Sequence, residues 1–296
     1  MTDAVQQTTD LEPAPISDPF YITGPAVISF SGGRTSGLML RRVLDAHGGT
    51  LPDDVVVAFA NTGREMPATL DFVQECGDRW GVPIAWIEYR WAPGGPSYER
   101  VNHNTASRAG EPLEALFRSK SMLPNPVSRF CTIETKIRTM KRFIRAEYGW
   151  DRWKNVVGLR ADEMGRVGKA TDPERNKKDR WDVVCPLAEA GINEGYVLEF
   201  WAAQDFDLRL NGKWEGNCDG CFLKSRGALS RMMLDHPERM QWWAAQEAVP
   251  RGAGAGATFR ADREPYAKLA EIVRNQGRLP FNIFDDGTAC EWSCTD

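Results

Sequence analysis

Apolar residues gather in short runs through the first half of the chain, and the spacing between the runs turns helical. "AVISFS", from Ala26, leads into a helical pattern that starts near Thr35. "VVVAFAN" (Val55 to Asn61) precedes a helical pattern from Pro67 to Trp80, and "PIAWIEY" (Pro83 to Tyr89) comes next. "NVVGL" (Asn155 to Leu159) follows a helical pattern from Thr132 to Tyr148. Runs this apolar are buried on both faces, as in a parallel sheet covered by helices on each side. The predicted fold class is therefore α/β, a doubly wound parallel sheet. Ligands of such sheets bind beyond the carboxyl ends of the strands. Ser31, Asn61 and Arg160 each fall just past a strand, so their three loops are expected to face one site.

Between Trp91 and Phe130 the chain is rich in Pro, Gly, Ser and Arg. That is long for a structureless loop, and part of it is expected to be helical or to form a lid. After Arg160 the chain reads as a charged loop, "RADEMGRVGKATDPERNKKDR". Three helical patterns follow, "EGYVLEFWAAQ", "HPERMQWWAAQEA" and "ADREPYAKLAEIVRNQ", with the small-residue linker "RGAGAGATFR" before the last. The expected organisation is a flexible tail over 1–20, an α/β domain over 21–190 and a mainly helical region over 191–296. Trp201, Trp214, Trp242 and Trp243 lie in that last region and read as packing residues.

The formal net charge is −4 over 296 residues, so the chain as a whole carries no electrostatic footprint for nucleic acid. Arg138, Lys141, Arg142 and Arg145 form a local basic face, read first as a solvated helix surface. No apolar run reaches membrane-spanning length, and the N-terminus lacks the basic start and apolar core of a secretory signal. The expected location is the cytoplasm, with no membrane partner. In that reducing setting seven cysteines point to metal binding or catalysis more than to disulfides.

Ser31-Gly32-Gly33 sits between a strand and a helix, with Arg34, Thr35 and Ser36 at the helix start. Two glycines let the backbone approach a ligand closely, and the helix N-terminus offers unpaired N–H groups to an anion. The spacing is not that of a Walker A loop. "SFSGGRTS" resembles the PP-loop of adenine-nucleotide α-hydrolase-like enzymes. "FANTGREMPATLDF", "FCTIETK" and "VVGLRADE" resemble, in the family's order, three further segments of its phosphoadenylyl-sulfate (PAPS) reductase branch. The resemblance implies a Rossmann-like sheet that binds an adenine nucleotide, ATP or an adenylyl sulfate. It places Ser31, Gly32, Gly33, Arg34, Thr35 and Ser36 on the phosphate or sulfate groups. Asn61, Thr62 and Gly63 would lie near the nucleoside, and Lys136, Arg160 and Arg166 would supply charge, Lys136 and Arg160 in catalytic roles. Thr35 and Asn61 stand where the family commonly has Asp, which removes two carboxylates that would help organise Mg²⁺.

"GNCDGCFLKS" holds Cys218 and Cys221 between two glycines. Cys131 lies at the mouth of a predicted helix, a setting that favours a thiolate. "CEWSCTD" supplies Cys290 and Cys294. Four thiolates suit zinc or an iron–sulfur cluster. No histidine accompanies them, and the resembled family uses clusters, so the expected cofactor is a 4Fe-4S cluster on Cys131, Cys218, Cys221 and Cys294, with zinc as the alternative. Cys76 and Cys185 read as small buried residues.

Two chemistries fit. The leading one is sulfur transfer, with ATP activating an acceptor, and a nucleic acid substrate or a sulfur-donor protein as partner. The other is reduction of an adenylyl sulfate, although the Glu-Cys-Gly-Leu-His tail of such reductases is missing. A reading of another class is a non-catalytic, zinc-stapled nucleotide-binding or interaction protein.

Overall fold

The computed structural model describes residues 18–251 and 257–276. In chain order it forms β1 (Ala26–Ser29), α1 (Arg34–Ala46), β2 (Val55–Asn61), α2 (Pro67–Trp80), β3 (Ile84–Ala92), β4 (Gly95–Val101) and α3 (Glu111–Lys120). A π-helical stretch (Thr132–Arg138) runs into α4 (Thr139–Tyr148), followed by β5 (Trp153–Val157), α5 (Met164–Ala170), α6 (Pro173–Asp179) and β6 (Trp181–Val184). The remaining helices are α7 (Pro186–Glu189), α8 (Glu194–Ala202), α9 (Arg226–Asp235), α10 (Pro237–Ala248) and α11 (Tyr266–Gln276). None of the described helices is long and apolar enough to cross a membrane.

The six strands are ordered β4-β3-β2-β1-β5-β6. All pairings are parallel except β3 with β4, so the sheet is mixed rather than wholly parallel. Every residue of β2 is buried, as its unbroken apolar run requires of a central strand. β4 is a polar edge strand, hairpin-paired to β3, and its sequence "GPSYERV" lacks the apolar content that marked the others. β6 also escaped the sequence pattern, and the segment read as a charged loop contains α5 and α6. Asp172 caps α6 by accepting a hydrogen bond from Arg175 N at 2.8 Å, with Pro173 at its first position. Those two residues were the available signal.

Alternation along the strands builds two cores. Ile28, Phe30, Val57 and Phe59 face α1, α2 and α8, where Phe72 and Trp201 fill the layer. Val27, Val56, Ala58 and Ala60 face α4 through Met140, Phe143 and Ile144. A third apolar cluster joins α3, α9, α10 and α11 into a helical cap around Phe117, Met232, Trp243 and Phe259. The layers interleave in sequence: α8 lies after residue 190 yet packs in the main core, while α3 lies before it and packs in the cap.

Candidate functional site

The order reverses at β1, whose neighbours are β2 and β5, and a crevice opens beyond their carboxyl ends. The Gly loop closes β1 onto α1 there. Gly32 has φ +81°, and a Cβ on it would stand 2.8 Å from Thr69 Cγ2, so both conformation and space demand glycine. Ser36 is fully buried and donates to Gly33 O at 3.0 Å, while Ser31 N donates to Ser36 Oγ at 3.2 Å. The Ser31 and Ser36 hydroxyls are 2.9 Å apart. Gly158, just after β5, lies so close that a Cβ there would meet Ser36 Cα at 3.2 Å.

Arg160 reaches across this junction to donate to Thr35 Oγ1 at 3.3 Å, and it pairs with Asp162 at 2.9 Å. Arg166 pairs with Glu163. Arg34 turns the other way. It makes a two-pronged ion pair with Asp207 at 2.7 and 2.8 Å and donates to Leu208 O, tying α1 to the segment after α8.

Beside the loop is a cavity of about 240 Å³. Phe30, Ala60, Met140, Val157, Trp181 and Val183 give it an apolar floor. Its other walls carry Ser29, Ser31 and Asn155 together with five cations, Arg129, Lys136, Arg166, Lys169 and Arg175, and no carboxylate among the described lining residues. Of the residues singled out in the sequence, Ser31, Lys136 and Arg166 line it; Gly32, Gly33, Arg34, Thr35, Ser36, Asn61, Thr62, Gly63 and Arg160 do not. Arg129, Lys169 and Arg175 had not been singled out. Lys169 and Arg175 belong to the two helices read as loop, so no face could be assigned to them.

The loop after β2 does a different job. Asn61 is fully buried, and its Nδ2 donates to Glu88 Oε1 at 2.5 Å and Ser107 O at 2.9 Å, while its Oδ1 accepts from Gly63 N at 3.1 Å. Thr62 donates to the Glu65 carboxylate at 2.8 Å, and its hydroxyl is 3.4 Å from Cys218 Sγ. This loop therefore touches a thiol.

That thiol belongs to a second, smaller cavity of about 40 Å³. Cys131, Cys218 and Cys221 all line it, with Thr62 and the aromatic rings of Phe117, Phe222 and Trp243. Lys136 and Arg129 line both cavities. Three of the four predicted ligands thus come together from two distant stretches of chain. Cys294, with Cys290, lies outside the described residues. Among the described residues no three His, Cys, Asp or Glu side chains are grouped to hold a metal ion. Cys76 and Cys185 are buried, and burial pushes both thiols up, Cys185 to about 12, with acidic neighbours adding to it.

The sequence did not reveal what holds the Cys218–Cys221 turn. Asp219, between the cysteines, is fully buried and accepts from Arg64 at 2.5 Å, Arg239 at 2.6 Å and Trp243 Nε1 at 2.7 Å. Asp219 N in turn donates to Arg64 O at 2.9 Å. Tyr266, from α11, donates to Gly220 O at 2.7 Å, and buried Lys224 donates to Trp214 O and Gly216 O at 2.7 and 2.5 Å. A Cβ on Gly220 would overlap Trp243 at 2.3 Å, so glycine lets the indole pack directly against the turn.

No family model matches the chain. A curated relative, the uncharacterized nin region protein ORF290 of Escherichia phage lambda, is 29% identical over 276 residues, covering 91% of this chain and 86% of that protein. Among solved structures, the U34-tRNA thiolase NcsA from Methanococcus maripaludis with its [4Fe-4S] cluster aligns over 86% of this chain and 82% of its own at 16% identity. The TM-score of that alignment is 0.41, too loose a superposition to transfer a fold or a role.

Proposed function

We propose that the protein is a PAPS reductase-like PP-loop enzyme that binds an adenine nucleotide in the larger cavity and performs ATP-dependent sulfur transfer beside a Cys-ligated 4Fe-4S cluster in the smaller one. The observation that carries this reading is the wall the two cavities share: Lys136 and Arg129 border both the hydroxyl-and-cation site and the three-cysteine site.

The apolar floor suits a base, and Ser31 of the Gly loop with the five cations of the wall suits its phosphates. Lys136 would neutralise charge on the leaving phosphate. Arg160, joined to Thr35, would hold the Gly loop against the β5 loop and add charge at that edge. Asn61 and Gly63 would act through loop shape. The donor chemistry fits a cluster: Cys131, Cys218 and Cys221 line one cavity with no histidine among its described lining residues, and all-thiolate sets hold clusters as well as zinc. Cys294 would complete the set. When bound, the cluster supplies sulfur-binding and one-electron chemistry. Thr62, on Cys218 Sγ, orients the thiol that faces the nucleotide loop.

One observation favours adenylyl-sulfate reduction as the second reading. No carboxylate among the described residues lines the larger cavity, so the lining supplies no magnesium ligand, and an adenylyl sulfate would need none. Both readings meet the same test. The protein is purified without oxygen, and iron, acid-labile sulfide and zinc are measured for wild type and for Cys131→Ser, Cys218→Ser, Cys221→Ser and Cys294→Ser. Iron and sulfide lost in these variants, with magnesium-dependent pyrophosphate release from ATP, support sulfur transfer. Sulfite and AMP released from adenylyl sulfate without magnesium, with an added dithiol oxidised to its disulfide, support reduction. Stoichiometric zinc with neither activity returns the protein to the zinc-stapled class.

A further inference from the structure

The charge around the larger cavity exceeds what a nucleotide needs. Between Arg118 and Tyr148 the chain has eight Lys or Arg against two Glu, and one of these, Glu147, turns away to Arg100 at 2.9 Å. Between Arg160 and Arg180 it has seven Lys or Arg against five acids. The chain as a whole is at −4, so these two segments stand at a combined +8 against −12 for the rest.

Both segments flank the same opening. The first sends Arg129 and Lys136 into the cavity wall, the second Arg166, Lys169 and Arg175, and the Lys141–Asp179 ion pair at 2.7 Å joins them. The same two segments carry further cations that do not line the cavity. Arg145, Lys177 and Lys178 are exposed and make no side-chain ion pair or hydrogen bond among the described residues. Large apolar side chains lie on or beside the same segments in open solvent: Val127 is 97% exposed, Met164 62% and Ile133 43%.

We infer that this rim is a docking surface for a single-stranded nucleic acid, which would be the sulfur acceptor if the sulfur-transfer reading holds. Spaced cations track a phosphate backbone, and the guanidinium groups among them can also stack on unstacked bases.

The test is anisotropy of fluorescent single-stranded DNA and RNA oligonucleotides on the full chain, titrated with salt, with calorimetry of ATP binding on the same preparations. The expected wild-type signal is binding that weakens steeply with salt. The triple variant Arg145→Glu, Lys177→Glu, Lys178→Glu should bind at least about tenfold more weakly and lose about 2 from the magnitude of the log–log salt slope, at about 0.7 per lost single-strand contact. Its ATP binding should be unchanged, since none of the three lines the cavity. The DNA and RNA arms identify which strand is preferred. The proposal is overturned if neither oligonucleotide binds, if charge reversal leaves binding intact, or if polyglutamate of matched charge binds as tightly. Loss of ATP binding in wild type with oligonucleotide binding retained would remove the sulfur-transfer reading and leave this surface standing.

Discussion

The two cavities share a wall but are built in opposite ways. The larger one is a product of topology. Any doubly wound sheet opens a crevice where its strand order reverses, and here local features finish it: two glycines, two serines and a helix N-terminus within a few residues of β1. The smaller one meets the sheet edge only through Thr62 and is held by contacts from elsewhere in the chain. It exists because Asp219, Arg64, Arg239, Trp243 and Tyr266, drawn from across the chain, pin one turn against the loop after β2. The first site is shaped by short-range geometry and close backbone approach at Gly32 and Gly158. The second depends on a buried charge network that must be complete, because a half-satisfied network costs more than none.

Removing the network's centre is the most severe test of that contrast. Asp219→Asn keeps the shape of the side chain and removes its charge, leaving Arg64 (4% exposed) and Arg239 without their counter-ion. The expected loss is about 3–5 kcal/mol, as for other buried pairs broken on one side. Urea unfolding measures it, and thiol labelling locates it: Cys218 and Cys221 should become freely reactive while ATP still binds the larger cavity. Equal loss of ATP binding would show that the two sites are one cooperative unit.

The converse test spoils the larger site and spares the smaller. Gly158→Ala places a methyl group 3.2 Å from Ser36 Cα and 3.3 Å from Ser36 N, backbone atoms that cannot swing away. Such overpacking costs about 1–3 kcal/mol and here falls on the Gly loop. ATP affinity should drop about tenfold, the equivalent of about 1.4 kcal/mol. Labelling rates of Cys131, Cys218 and Cys221 should not change. A variant with wild-type affinity would mean that the close approach of Gly158 to α1 does not shape the proposed nucleotide site.

The contrast also explains what the sequence made legible. β2 and α2 were readable to the residue, because an unbroken apolar run and a Pro-initiated amphipathic helix carry their own boundaries. The Gly loop was readable for the same local reason. Cys131, Cys218 and Cys221 were grouped by chemistry, and the structure lines one cavity with them. Asp219 was invisible, since an aspartate between two cysteines looks like turn polarity until Arg64 and Arg239 arrive from 155 and 20 residues away. Asn61, expected near a nucleoside, spends its amide on Glu88, Ser107 and Gly63, partners that a motif does not show. Arg34 sits in the Gly-loop motif, but its bond to Asp207 spans 173 residues.

The mildest perturbation is acid, and it separates the two regions by pH alone. Glu215 lies just before the cysteine turn and is almost fully buried. Burial pushes its carboxyl up, but His236 Nε2 at 2.8 Å and the Asn211 side chain and backbone N–H at 2.9 and 2.8 Å outweigh this and hold it below the usual glutamate value. A carboxylate depressed in the folded state contributes stability that is present above its unfolded pKa and is lost as pH falls through the lower folded value. The loop from Asn211 to Gly216 should therefore loosen as the solution is acidified below the ordinary glutamate range. In native-state hydrogen exchange, backbone amides of this loop and of the cysteine turn should lose protection before those of β1 and β2. Glu215→Gln removes the titrating group, so the variant should show no such ordering in acid while starting from lower stability at neutral pH. If loop and sheet lose protection together in wild type, the acid response lies elsewhere and Glu215 is not what fastens the turn.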